Sequence, residues 1–410
     1  MCLLFTSRRV FYFLLLSVIC ILQFPALTLQ GETVLVAPVS KDKSTSLFTL
    51  SVFLKTPLRL TKLYLDLGFL FPWTLCDANY NSSSFRRIPC DATFCAEVGF
   101  GGLSCDNCTL DNPPDPKCIP TNIICGSFPE NPVTGASISD AAIIDTLALP
   151  SAQGSLVLLA NYTFSCSDST APGIAFFGST GPYNISSKID LSQSLVFTPL
   201  IVNPVSVGDT VIGYGRNPPS NQYFIGLTSI LVNRKRVPVN ATLLSINKDD
   251  GFGGTKISTA TPYTLLESSI QKAFTELFVK EAASSAFNLT VTTPAKPFNV
   301  CYPVGDLMVN SAGPAVPTID LVLHAPNVVW RTVGSNSMVR VTNKKKGVDL
   351  WCLGFVDGGV DKKTPIVIGG KQLEDNLLQF DLGSNTLGFT SSLLSRSLSC
   401  ADFNVPGFGL

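Results

Sequence analysis

Two strand-and-turn segments echo each other across this chain, and no other feature restricts its fold as strongly. Tyr64-Leu65-Asp66-Leu67-Gly68 is an apolar strand that runs into a turn. Lys256-Ile257-Ser258-Thr259-Ala260 repeats the shape about 190 residues later, and paired features half a chain apart point to two homologous lobes. A further apolar-glycine element, Ile366-Val367-Ile368-Gly369-Gly370, lies near the end. The boundary is expected near Pro199–Gly208, which gives lobes over residues 31–200 and 201–410.

Short alternating or apolar runs, cut by Gly, Pro, Asn and Asp, fill most of the chain. Leu47–Leu54, Leu63–Asp66, Ile174–Phe177, Val328–Val333, Ile366–Ile368 and Leu378–Phe380 are such runs, and they predict an all-β protein with few short helices. One longer helix is expected over Pro262–Ala283. There Leu265, Leu266, Ile270, Ala273, Phe274, Leu277 and Phe278 recur at three and four residues, behind a proline suited to a helix start. With 410 residues, 45% of them hydrophobic and 27 of them Phe, the chain can build a core and is neither disordered nor collagen-like. Its 29 Lys and Arg balance 29 Asp and Glu, which argues against the basic face of a nucleic-acid binder. The basic run Lys344-Lys345-Lys346 reads as a solvated loop tip.

Residues 1–30 read as a secretory signal peptide: Arg8-Arg9, an apolar run from Phe11 to Leu22, and small residues near Ala26. A membrane anchor is the rival reading, but the run is shorter than the roughly 20 residues a spanning helix needs. Cleavage is expected near residues 25–31, leaving a protein in the extracellular space or cell wall. Cys2 and Cys20 would leave with the leader, so eleven of the 13 cysteines remain. Seven of those eleven crowd between Cys76 and Cys125: Cys76, Cys90, Cys95, Cys105, Cys108, Cys118 and Cys125. In an oxidising compartment this is a disulfide knot. The Cys105-x-x-Cys108 pair has no second pair and no nearby histidine to complete a zinc site. Cys166, Cys301, Cys352 and Cys400 follow, and an odd total leaves at least one thiol without an intramolecular partner. Sequons at Asn81, Asn161, Asn184, Asn240 and Asn288 are candidate glycan sites; a sixth, Asn107, contains Cys108, whose disulfide would hinder the transferase.

These residues resemble the pepsin-like aspartic protease fold. Asp66-Leu67-Gly68, followed by Trp73 and Cys76, is similar to the first catalytic turn of that family, and Gly253–Ala260 is similar to the second. The closer resemblance is to its plant branch of TAXI-type xylanase inhibitors, extracellular dermal glycoproteins and basic seed globulins. Pro132-Val133-Thr134-Gly135, Gly253–Phe274, Val328-Val329-Trp330-Arg331, Gly369–Leu378 and Ser399–Asn404 carry it. The likeness covers nearly all of the chain beyond the leader. One departure is large. After Phe164-Ser165-Cys166 the family continues through an apolar segment and a further cysteine, whereas here Ser167–Pro172 leads directly into Gly173–Gly178. The resemblance implies a truncated first lobe and the loss of one partner among the family's disulfides. On that basis Cys400 is expected to be the orphan and Cys301–Cys352 to be intact.

The same resemblance places Ser258 where the second catalytic aspartate belongs. Aspartic proteolysis needs two carboxylates that share one proton, and Asp66 alone has no partner for this. Leu67 and Phe69 replace hydroxyl residues, Ala260 replaces a glycine, and Phe128–Gly135 contains no flap tyrosine. No catalytic residue is therefore assigned to this degenerate pair. His324 lies on an apolar stretch near Pro326 and reads as structural. Gly251–Lys256 lacks the spacing of a phosphate loop, and nothing in the chain signals a metal, nucleotide or haem. The resemblance implies instead an inhibitor of secreted glycoside hydrolases, whose paired acids an arginine can engage. Arg331 and Arg396 match such positions. A storage or ligand-binding glycoprotein and a residual endopeptidase are the alternatives.

Overall fold

Apolar runs separated by hundreds of residues pair into one sheet that crosses both lobes. The computed structural model describes residues 2–6, 34–42, 45–65, 67, 80–88, 126–127, 140–141, 143–164, 173–177, 183–186, 189–205, 219–220, 222–343 and 347–403. Expected features at Asp66, Phe128–Gly135, Cys76 through Cys125, Cys166, Asn107 and Lys344–Lys346 lie outside them.

In the first lobe, β1 (Cys2–Thr6) is followed by β2 (Leu35–Lys41), β3 (Phe48–Leu54) and β4 (Arg59–Tyr64), then β5 (Ile143–Pro150), β6 (Leu156–Phe164) and β7 (Gly173–Phe177). β2 pairs antiparallel with β3 and β7, and β3 with β4 and β5. The apolar side chains of Val52, Leu54, Leu63, Ile143, Leu147 and Leu149 close a first-lobe core. Buried Asp145 has no ion pair among the described residues, and its carboxylate accepts hydrogen bonds from Tyr80 Oη (2.7 Å), Ser82 Oγ (2.9 Å), Ser84 Oγ (2.5 Å) and Thr146 N (2.7 Å). Four donors substitute for the water that burial removes.

The second lobe contributes β8 (Val196–Ile201), β9 (Tyr223–Ile225), β10 (Thr255–Ile257), β11 (Thr264–Glu267), helix α1 (Ser268–Ala282), β12 (Ile319–Val322), β13 (Val329–Thr332), β14 (Phe355–Gly359), β15 (Ile366–Ile368), β16 (Leu377–Asp381) and β17 (Thr386–Phe389). The large sheet runs in the order β14-β11-β15-β10-β9-β8-β17-β16-β1-β7-β2-β3-β5. β1 therefore joins second-lobe strands to first-lobe strands, and it belongs to the segment expected to be a leader. Its backbone N–H and C=O groups meet two strand edges at once, which those of a free leader would not.

The expected helix over Pro262–Ala283 is shorter than its periodicity suggested. Thr264–Glu267 is a strand, parallel to β14 and antiparallel to β15, because two open strand edges flank it. The Glu267 carboxylate then caps α1 by accepting from Ser269 N and Ile270 N. Ile270, Phe274, Phe278 and Ala282, four residues apart, form the buried stripe of α1. Buried Glu281 on the same helix is paired with Lys235 Nζ at 2.7 Å and Asn233 Nδ2 at 3.0 Å.

Cys301 and Cys352 form the expected disulfide, between directly opposed strand residues. The expectation for Cys400 is overturned. Cys400 is disulfide-bonded, with the other half outside the described residues. It is buried, and the Asp375 carboxylate, which accepts from Cys400 N at 3.0 Å, holds its backbone in place. Counting residues could not show which sulfur that fixed position favours.

Candidate functional site

The two echoing turns meet between the lobes. β4 leads through Leu65 to the first turn, and Leu65 N donates to Phe48 O at 2.9 Å. β10 leads into Ser258-Thr259-Ala260 and lies parallel to β15, with Ile257 opposite Ile368. Ser258 N donates to Ile368 O (2.9 Å), and the Ser258 hydroxyl accepts from Ala260 N at 3.2 Å. The second turn is thus held on both sides of Ser258 through backbone groups, and the side chain it carries there is a hydroxyl.

Across the lobes, Leu67 N donates to Thr259 Oγ1 at 3.0 Å, and Thr259 is fully buried. A hydroxyl at position 67 would return this bond, but leucine has none and packs instead in the core that spans both lobes. Beneath the second turn, Gly370 N and Lys371 N donate to the carbonyls of Thr261 (2.8 Å) and Pro262 (2.9 Å).

Glu374 ties this region to the first lobe. Its carboxylate takes Lys371 Nζ at 2.5 Å and also pairs with Lys41 Nζ, from β2. Burial pushes the Glu374 acid up, but the Lys371 and Lys41 ammonium groups outweigh it and hold the carboxylate below its usual range. A folded-state pKa below the unfolded one stabilises the fold above the ordinary glutamate value of 4.5, and the contribution is lost as pH falls through the lowered value. The thermal midpoint of the parent chain is expected to fall in this acid window. Glu374→Gln should be less stable near neutral pH and show a flatter profile below 4.5, read by thermal scans across pH. Identical pH profiles for the two chains would contradict it. This cluster was missed in the sequence: the i,i+3 spacing of Lys371 and Glu374 is a local signal for part of it, and Lys41 leaves none.

The two candidate arginines have different surroundings. Arg331, on β13, forms a bidentate pair with buried Asp320 on the opposed position of β12, at 2.7 and 2.8 Å. Its side chain remains about half exposed. Arg396 ends the short helix Leu393–Arg396, is exposed, and its Nη1 donates to Ser194 Oγ at 2.7 Å. Arg331 N donates to Ser391 Oγ (3.1 Å), which links β13 to the segment that leads into Arg396. His324 lies beyond the end of β12, and its Nδ1 is 2.9 Å from Thr198 Oγ1. It borders a mostly apolar groove with Ile201, Ile225, Leu244 and Ile246. Gly251, Gly253 and Gly254 adopt positive φ and lead into a strand rather than a helix, so that segment is not a phosphate loop. Asn81, Asn161, Asn240 and Asn288 are exposed.

Comparison with known proteins agrees with this architecture. Residues 48–184 match the family model described as "Xylanase inhibitor N-terminal", and residues 222–391 match "Xylanase inhibitor C-terminal". "Probable aspartic proteinase GIP1" of Glycine max is 47% identical over 434 aligned positions, which cover 94% of this chain and 95% of the relative. Those 434 positions exceed the 94% of 410 residues that this chain contributes, so the relative carries residues that this chain lacks. "Gamma conglutin 1" of Prunus dulcis is 33% identical, covering 90% of this chain and 89% of the relative. Among solved structures, "Crystal structure of edgp" superposes with a TM-score of 0.79 at 37% identity, over 91% of this chain and 98% of that one. Basic 7S globulin from soybean superposes with a TM-score of 0.69 at 26% identity, over 91% and 99%.

Proposed function

Because the chain belongs to the xylanase-inhibitor family of pepsin-like proteins, we propose that it is a secreted, non-catalytic inhibitor of microbial cell-wall glycoside hydrolases. The observation that carries this reading is Ser258. By the family resemblance Ser258 stands where the second catalytic acid belongs, in a turn held by Ile368 O and Ala260 N, and a hydroxyl cannot share a proton with a carboxylate, which supports a frame that serves a surface rather than a reaction. The target is an endoglucanase or xyloglucanase before a xylanase.

Arg396 is the principal contact. A glycoside hydrolase presents two acids across a cleft, and an exposed guanidinium on a short helix can enter it and donate charge-assisted hydrogen bonds. Its present partner is a neutral serine hydroxyl, which is given up at little cost. Arg331 is the secondary contact, since Asp320 already takes two of its donors. Asn81, Asn161, Asn184, Asn240 and Asn288 are the sites proposed to carry glycan.

Titration of the purified protein against family 12 and family 11 endoglycanases, by calorimetry and by activity on polysaccharide, tests the reading. Stoichiometric inhibition is expected. Arg396→Ala should weaken it by about 30-fold, equivalent to about 2 kcal/mol. Unchanged inhibition by Arg396→Ala would remove this residue from the interface. No binding by folded protein would favour a storage or ligand-binding role instead.

A further inference from the structure

The place of β1 in the sheet is unusual. Cys2 to Phe5 lie parallel to Ile174 to Phe177 of β7, and Cys2 to Thr6 lie parallel to Leu377 to Asp381 of β16, in continuous register. On their far sides, β7 is paired with β2 and β16 with β17. Among the described residues, β1 is thus the hydrogen-bonded joint between the two halves of the large sheet. Without it, two strand edges face each other across a gap one strand wide. With β1 in place, Leu377, Leu378, Gln379 and Phe380 of β16 are all buried. Unpaired N–H and C=O groups in such a place are costly.

Neighbouring chain does not fill the gap. Among the described residues, β6 ends at Phe164, β7 begins at Gly173, and neither enters the gap. The occupant comes instead from the far N-terminus, from a segment expected to be cut away.

We propose that the gap between β7 and β16 is a strand-acceptor site for an extended apolar peptide running parallel to both neighbours, and that Cys2–Thr6 is its built-in occupant. Recognition is mainly through the backbone, as when a peptide adds a strand to a sheet. In a strand paired on both sides, successive residues point their N–H and C=O groups to alternate neighbours. A proline in the middle therefore removes a bond and is excluded from a central position. Removal of the leader would empty the site.

The test uses the full chain, a fluorescent peptide of the sequence Met1–Ser7, and the same peptide carrying Leu4→Pro. The parent chain should bind the labelled peptide weakly, because its own strand occupies the site. Leu4→Pro in the full chain should lower the thermal midpoint and tighten binding of the unmodified peptide by at least about tenfold. The proline peptide should not compete. A chain beginning at residue 31 should behave like the Leu4→Pro chain. If it does not fold alone, the unmodified peptide should restore its near-ultraviolet circular dichroism on refolding, and the proline peptide should not. Equal binding of both peptides, an unchanged midpoint and peptide affinity in the Leu4→Pro chain, or a failure of the peptide to bind or rescue the shortened chain would each overturn the proposal.

Discussion

Phe274→Ala is expected to destabilise the chain by about 3–5 kcal/mol. Phe274 is fully buried on the inner stripe of α1. Its ring lies 4.9 Å from that of Phe355 on β14 and 6.2 Å from that of Phe278 one turn away. Truncation removes the transfer energy of the ring and leaves a cavity. The cavity cannot close by a shift of the helix, because α1 is held at its start by the Glu267 cap and near its end by the Glu281–Lys235 pair. The thermal midpoint should drop by roughly 10 °C, given about 2–4 °C per kcal/mol for a unit of this size. Phe274→Leu, which keeps most of the volume, should cost clearly less. Equal midpoints for Phe274→Ala and the parent would show that the helix is not seated as described.

Gly369→Ala is expected to be of similar severity, about 3 kcal/mol or more, for a different reason. The backbone of Gly369 lies in an ordinary extended region, so conformational freedom is not the issue. Space is. A Cβ there would lie 2.1 Å from the carbonyl oxygen of Tyr263 and 2.2 Å from its carbon. Both obstructing atoms are backbone, so no rotamer change relieves them. The segment must move, and with it the support of the second turn: Ile368 O on Ser258 N, and the bonds from Gly370 and Lys371. Gly305→Ala is the control, since nothing lies within 4 Å of a Cβ at that position. It should change stability by less than about 0.5 kcal/mol. Faster proteolysis of Gly369→Ala, but not of Gly305→Ala, is the expected outcome. Equal resistance would contradict the close approach.

Where the chemistry is local, the sequence predicted the structure well. Ile366–Ile368 is a strand with the expected limits, and Leu378–Phe380 is the centre of β16. Continuous apolar runs of this length, closed by glycine or by a charged residue, have few other solutions. The helix was half legible. Its stripe of Ile270, Phe274 and Phe278 was plain, but Leu265 and Leu266 fit a helix or a strand equally. Open edges on β14 and β15 decided for the strand.

The candidate site was legible in composition and not in contact. Both turn segments were found, and they are the segments that the fold brings together. The bond from Leu67 N to Thr259 Oγ1 spans 192 positions and leaves no trace in either neighbourhood. Arg331 and Arg396 look alike as exposed arginines in the sequence, yet one is held by Asp320 and the other only by a hydroxyl. The correction for Cys400 has the same origin: parity says that a thiol is left over, but only position says that it is not Cys400.

The sequence by itself determined a two-lobed, strand-rich frame, and its resemblance to the family put Ser258 where an acid is expected. Periodicity carries the first and the resemblance the second, and neither depends on a distant partner. Only the tertiary structure decided that Lys41 reaches Glu374, that Arg331 is already paired, and that five residues of an expected leader complete the central sheet. These outcomes arise because strand edges and buried charges must be satisfied by whatever group the fold brings near, and nearness in space is not written in neighbouring residues.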